Sequence, residues 1–177
     1  MARTIIALAT CCLVLALTGA ALAHDHEGHR QHGAHVHGLA GMNIAVEGGV
    51  LEIELAVPAA NIVGFEHAPR TDEQRAALDA AMRRLGEASA MFQIDRAAEC
   101  RASHVEVRRE GGEHGDHAHS DIVAHYRFEC ARPQRLTGLD VRLFEHFPGN
   151  EAIQVQVLTT TGQDGMRLTP ERRSVRW

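Results

Sequence analysis

The chain has no lysine, so all 18 of its basic side chains are arginines, scattered among 23 acids without forming a basic stripe. That pattern, with a formal net charge of -5, argues against nucleic acid or an anionic membrane surface as a partner. A long apolar run is also missing. Ile5 to Leu17 is shorter than the about 20 residues a bilayer span needs. It follows Arg3 and precedes Ala21-Leu22-Ala23, the layout of a secretory leader with an A-x-A cleavage site. Lipidation at Cys11 is disfavoured because the regions before it are too brief. Cleavage before His24 is expected, with no membrane insertion of the mature chain.

Cysteine is equally sparse. Cys11 and Cys12 leave with the leader, so Cys100 and Cys130 are the thiols of the mature chain. In an oxidising compartment they are expected to form one disulfide. Thiolate metal ligation lacks the Cys-x-x-Cys spacing. A bridge would close the hairpin between them and stabilise the fold by about 3 to 4 kcal/mol. Directly opposed cysteines would, however, put Val105 on the same face as His125, so a bulge or an offset register is required.

Catalytic signatures are absent as well. His26-Glu27-Gly28-His29 is one residue short of His-Glu-x-x-His, and neither Gly-x-Ser-x-Gly nor a deaminase pattern occurs. A zinc hydrolase or lyase would need three fixed ligands, an open position and a general acid or base. It therefore ranks well behind a binding protein, and the chain is read as a non-enzyme.

Histidine is abundant, with 13 copies that are grouped rather than spread. One group comprises His24, His26, His29, His32, His35 and His37; the other comprises His114, His117, His119 and His125. Imidazole is the commonest zinc ligand and is neutral near pH 7. Each group holds a His-x-His pair, His35 with His37 and His117 with His119. Residues two apart in an extended segment point the same way, so both rings of a pair can reach one ion. A strand beginning as early as His117 would place His117, His119, Asp121 and His125 on one face, with Ile122, Ala124, Tyr126 and Phe128 in the core. Glu66 and His67 form a candidate N,O pair on a loop. The proposed metal ligands are thus His35, His37, Glu66, His67, His114, His117, His119, Asp121 and His125. His104 and His146 read as structural or surface residues.

The organisation reads as a signal peptide over 1-23, a flexible His-rich segment over 24-37, and a domain over 38-177 whose hairpin loop 111-119 is His-rich. Met42, Ile44 and Val46, then Leu51, Ile53, Leu55 and Val57, alternate about Gly48-Gly49 as a β-hairpin that ends at Pro58. Thr71 with Gln74 predicts a capped helix to about Leu85, its Leu78, Met82 and Leu85 facing the core. Strands are predicted at Val105 to Arg108, Ile122 to Cys130, Leu139 to Phe144 and Ile153 to Leu158, with short ones near Met166 and Val175 finishing the sheet. Met91 to Ile94 has no readable pattern. The fold class is α+β, a single domain with one main helix and a largely antiparallel sheet.

Several motifs resemble the ZrgA-like periplasmic zinc-binding proteins: His35-Val36-His37-Gly38, Gly64-Phe65-Glu66-His67-Ala68-Pro69, Ser120-Asp121-Ile122 with Tyr126, Phe128 and Cys130, and Gly162-Gln163 with Leu168-Thr169-Pro170. The Phe-Glu-His-Ala-Pro run is the most specific of these. The resemblance spans nearly the whole mature chain and implies an accessory of zinc acquisition working beside an ABC-type importer, whose periplasmic component is the implied partner. Some relatives carry a longer His/Asp/Glu-rich insertion where this chain has the short loop from Gly111 to His119. The expected function is a reversible zinc buffer or chaperone in the periplasm. Copper and nickel suit the same imidazoles, and copper(II) usually outcompetes zinc at such sites.

Overall fold

Apolar residues at alternate positions make Leu39–Glu47 (β1) and Val50–Pro58 (β2) two half-buried antiparallel strands. The reversal falls on Gly48-Gly49, with Gly48 at φ 58°, a conformation that disfavours residues with a side chain. The structure, a computed structural model, describes residues 36-111 and 119-177. The expected leader and most of the amino-terminal histidine segment lie outside the described residues.

After β2 a short helix, Ala59–Val63 (α1), ends at Gly64 in the left-handed region, φ 82°. The main helix is Asp72–Gly86 (α2), capped by Thr71, whose Oγ1 accepts from the Gln74 N–H at 3.2 Å. Gln74 returns the favour one residue early: its Oε1 accepts from the Arg70 N–H at 2.7 Å. Ala88–Met91 (α3) and Phe92–Ile94 (β3) resolve the segment without a readable pattern. There follow Cys100–Gly111 (β4), Ser120–Cys130 (β5), Gly138–Val141 (β6), Leu143–His146 (α4), Ala152–Thr159 (β7), Gly162–Leu168 (β8) and Ser174–Arg176 (β9).

Among the described residues the strands form two sheets, β4-β5-β2-β1-β7-β8 and β3-β6-β9, and all of these pairings are antiparallel except β1 with β7. One face of the large sheet, with Ile44, Ile53, Ile122, Tyr126 and Val155, shares a single core with Ala81 and Leu85 of α2 and with Phe92, Leu139 and Val175 of the small sheet. Phe92 meets Tyr126 edge-on at 4.9 Å, and the Tyr126 hydroxyl donates to the Leu85 carbonyl at 2.8 Å. The opposite face of the large sheet carries polar residues such as Asn43, Glu54, His125 and Gln156. Among the described residues no helix is long and apolar enough to cross a membrane.

Two expectations need correction. The strand predicted over Leu139 to Phe144 stops at Val141, and Leu143–His146 turns into α4. Leu143 and Phe144 are both buried; a strand would point successive side chains to opposite faces, whereas a helical turn lets both reach the core. The strand at Val175 belongs to the small sheet rather than completing the large one.

The cysteines do bond, Cys100 to Cys130, and they sit directly opposite one another. The required bulge is at Ser103, where the register shifts between Ala102 and His104. It returns Val105 to the core side, opposite Tyr126, and leaves His104 on the open face.

Candidate metal centre

Three chain segments converge on Glu66. The first is the turn into β1. Gly38 sits at φ 84°, and a Cβ there would come within 2.9 Å of Cδ of Glu151. Its N–H donates to Oδ1 of the buried Asn61 in α1 at 2.8 Å, and Asn61 Nδ2 donates to Oδ1 of the buried Asn150 at 3.2 Å. The Gly38 carbonyl accepts from the Glu151 and Ala152 N–H groups at 2.7 and 3.0 Å. These bonds tie His37 to α1 and to the start of β7.

The second segment is the connection from Gly64 to Arg70, where Glu66 is held by its main chain. Its carbonyl accepts from Arg109 Nη2 at 2.7 Å and from Ser120 Oγ at 2.6 Å. Arg109 also donates to Ser120 Oγ through Nε and Nη2 at 3.2 and 3.0 Å. The connection is thereby fixed to the ends of β4 and β5 that flank the His-rich loop. The third segment is the last residue of that loop, His119, which immediately precedes Ser120.

The outcome is one carboxylate gripped by two rings. His37 Nε2 lies 3.3 Å from Glu66 Oε1, and His119 Nδ1 contacts Glu66 Oε2. The Glu66 side chain is only 11% exposed, against 70% for His37 and 58% for His119. A carboxylate so far removed from water needs donors or a cation to compensate its charge. Two nitrogens and one oxygen form a donor set that suits a borderline divalent ion such as zinc.

Among the described residues no three His, Cys, Asp or Glu side chains already stand as a cage for an ion. His37 and His119 address different oxygens of Glu66 rather than one common point.

Other proposed ligands are placed elsewhere. His67 adjoins Glu66 in sequence, but its Nδ1 donates to the Ala68 carbonyl at 2.8 Å and its ring stacks on Phe65 at 5.2 Å. Asp121 is buried at the start of β5, opposite Pro58 and Glu110. His125 does share the outward face of β5 with Asp121, yet it lies about 20 Å along the chain from His119 at strand spacing. It stands 3.7 Å from Glu54 instead. His35, His114 and His117 lie outside the described residues. His146 is structural, its Nε2 lying 3.2 Å from the Ala90 carbonyl.

Residues 34-177 match the ZrgA family, described as zinc uptake proteins. The chain belongs to that family. No curated protein matches it. The ZrgA match takes in His35, His37, Glu66 and His119 and leaves out His24, His26, His29 and His32. Membership ties the chain to zinc uptake.

Sequence reasoning overlooked Arg109, Asn61 and Asn150, which hold the segments around Glu66 together. Ser120 was noticed only within a motif. An arginine at the end of a strand, an asparagine in a one-turn helix and another just before β7 carry no periodic signal, because their partners are 11 to 89 residues away along the chain.

Proposed function

We propose that this chain is an exported zinc-binding protein of the periplasm that captures zinc(II) on His37, Glu66 and His119 and passes it to an ABC-type zinc importer. The observation that carries this reading is the nearly buried Glu66 carboxylate held between two exposed imidazoles, in a chain whose family is one of zinc uptake. The site's two neutral rings and single carboxylate leave a bound zinc with a net positive charge. Such a site binds less tenaciously than the thiolate cages of structural zinc, as a buffer that must release its cargo requires. Exposed rings give the ion a route in and out.

His35 and His117, two residues from His37 and His119, complete the ligand set by the His-x-His spacing. The leader over 1-23 delivers the chain, and the periplasmic component of the importer receives the ion. Copper(II) will also bind the imidazoles in vitro; family membership is what favours zinc as the physiological cargo.

The test is a chelator-competition titration of the tag-free chain beginning at His24, with His37→Ala, Glu66→Gln and His119→Ala compared singly. Each variant should lose at least about tenfold in zinc affinity, the scale expected when a partner in a metal site is removed, while its far-UV circular dichroism stays that of the parent. Unchanged affinity in all three would sink the site. Faster zinc loading of the importer's periplasmic component from the charged protein than from free buffer tests the transfer step.

A further inference from the structure

The small sheet stops short of covering the large one. β3 is an outermost strand of the small sheet and β4 an outermost strand of the large sheet. The two border one concavity of about 580 Å³, whose lining includes Phe92, Ile94, Cys100, Ala102, Val105 and Phe128. That volume is within the about 300 to 1,000 Å³ of ordinary binding pockets. Ala102 is paired with the buried Phe128 and shares its core-side face, yet Ala102 is exposed and Val105 only half-buried. This stretch of β4 therefore presents core-side apolar residues without a layer packed over them.

The main chain of β3 is open along the same groove. The Arg142 N–H donates to the Met91 carbonyl at 2.8 Å, so in the alternating antiparallel ladder Gln93 is the next residue to bond β6. Phe92 and Ile94 turn their main-chain groups the other way. Phe92 donates its N–H to the Ala88 carbonyl of α3. Its carbonyl, and both main-chain groups of Ile94, have no partner among the described residues. An unpaired edge of this kind is a template for one more strand. The charge left over at the rim is positive. Asp95 accepts from the Ala97 N–H at 3.0 Å, Glu99 pairs with Arg132 at 3.0 Å, and Arg142 pairs with Glu145 at 3.1 Å. Arg96, exposed at the same rim, has no ion-pair partner among the described residues.

We propose that this groove takes an extended peptide segment of another protein, which adds as a strand to the β3 edge, lays apolar side chains over Ala102 and Val105, and sets an acidic side chain against Arg96. Main-chain bonds to Phe92 and Ile94 supply affinity, and the apolar floor selects alternate side chains. The groove shares no residue with the His37–Glu66–His119 centre, so either can stand if the other falls. It borders the disulfide end of the β4–β5 ribbon, whereas His119 lies beyond the other end. A protein held here leaves the zinc centre uncovered.

The test pans phage-displayed random peptides on the chain beginning at His24 and follows a synthetic copy of the enriched sequence by amide nuclear magnetic resonance. Enriched peptides should alternate apolar and polar residues beside an acidic one. The synthetic copy should shift the Ile94 amide and slow its hydrogen exchange. Ala102→Glu, which sets a carboxylate on the exposed floor, should weaken that peptide at least about tenfold, and Arg96→Glu should slow its association. Both variants should keep the melting temperature and the zinc affinity of the parent. A library from which nothing is enriched overturns the proposal. So do enriched peptides that leave the Ile94 amide unmoved, or an affinity indifferent to both substitutions.

Discussion

Removing the disulfide should cost stability and leave zinc affinity almost untouched. Cys100 and Cys130 are 30 residues apart in sequence; the loop-closure entropy for that span is about 12 cal/mol/K, or about 3.6 kcal/mol at 25 °C. For a domain of this size that corresponds to a fall in melting temperature of about 7 to 14 °C. The bridge lies at the base of the β4–β5 ribbon, whereas His119 lies beyond its other end, about 36 Å from Cys130 at strand spacing. The ribbon between them is held by the register from Glu110↔Asp121 to Val105↔Tyr126. The assay is thermal unfolding and a zinc competition titration of Cys100→Ala/Cys130→Ala, the titration run well below its melting point. A loss of zinc affinity beyond about tenfold would refute the reasoning, since it would place the cysteines in the metal site rather than in the frame.

Two further perturbations probe the frame. A Cβ at Gly149 would come within 2.5 Å of the Asn61 carbonyl, so Gly149→Ala should displace Asn61 from Gly38 and weaken zinc binding through His37, measurable as a higher Kd with unchanged secondary structure. Burial raises the Tyr126 phenol well above its ordinary value of 10, so the folded state holds it neutral. The stability this gives is whole below about pH 10, the unfolded value, and is lost as pH rises toward the folded value. Tyr126→Phe should therefore lose about 1 to 2 kcal/mol near neutrality, from the unpaired Leu85 carbonyl, and show a flatter alkaline limb in urea unfolding at pH 8 to 11.

The β1–β2 hairpin was legible because Met42, Ile44, Leu51 and Ile53 keep a strict period of two, and α2 because Thr71 and Gln74 mark its start. The face of β5 was legible for the same reason, with Ile122, Ala124, Tyr126 and Phe128 all buried. Opposed cysteines even required the bulge, although not its place at Ser103. Leu143-Phe144 misled because adjacent apolar residues suit a buried strand and a helical turn equally.

The site was legible in its residue types and not in its grouping. His37, Glu66 and His119 are 29 and 53 residues apart along the chain, and only the sheet order and the Arg109–Ser120 clamp unite them. His125 is grouped with His119 by the face they would share on a strand beginning at His117, but strand rise separates the two and sets His125 beside Glu54.

The most direct measurement is anomalous diffraction at the zinc edge from crystals of the mature chain grown with stoichiometric zinc. A strong peak within bonding distance of His37, Glu66 and His119, about 2.0 to 2.2 Å, is the predicted result. A protein that holds zinc with that carboxylate and both rings left in contact with each other and no density beside them would contradict the account.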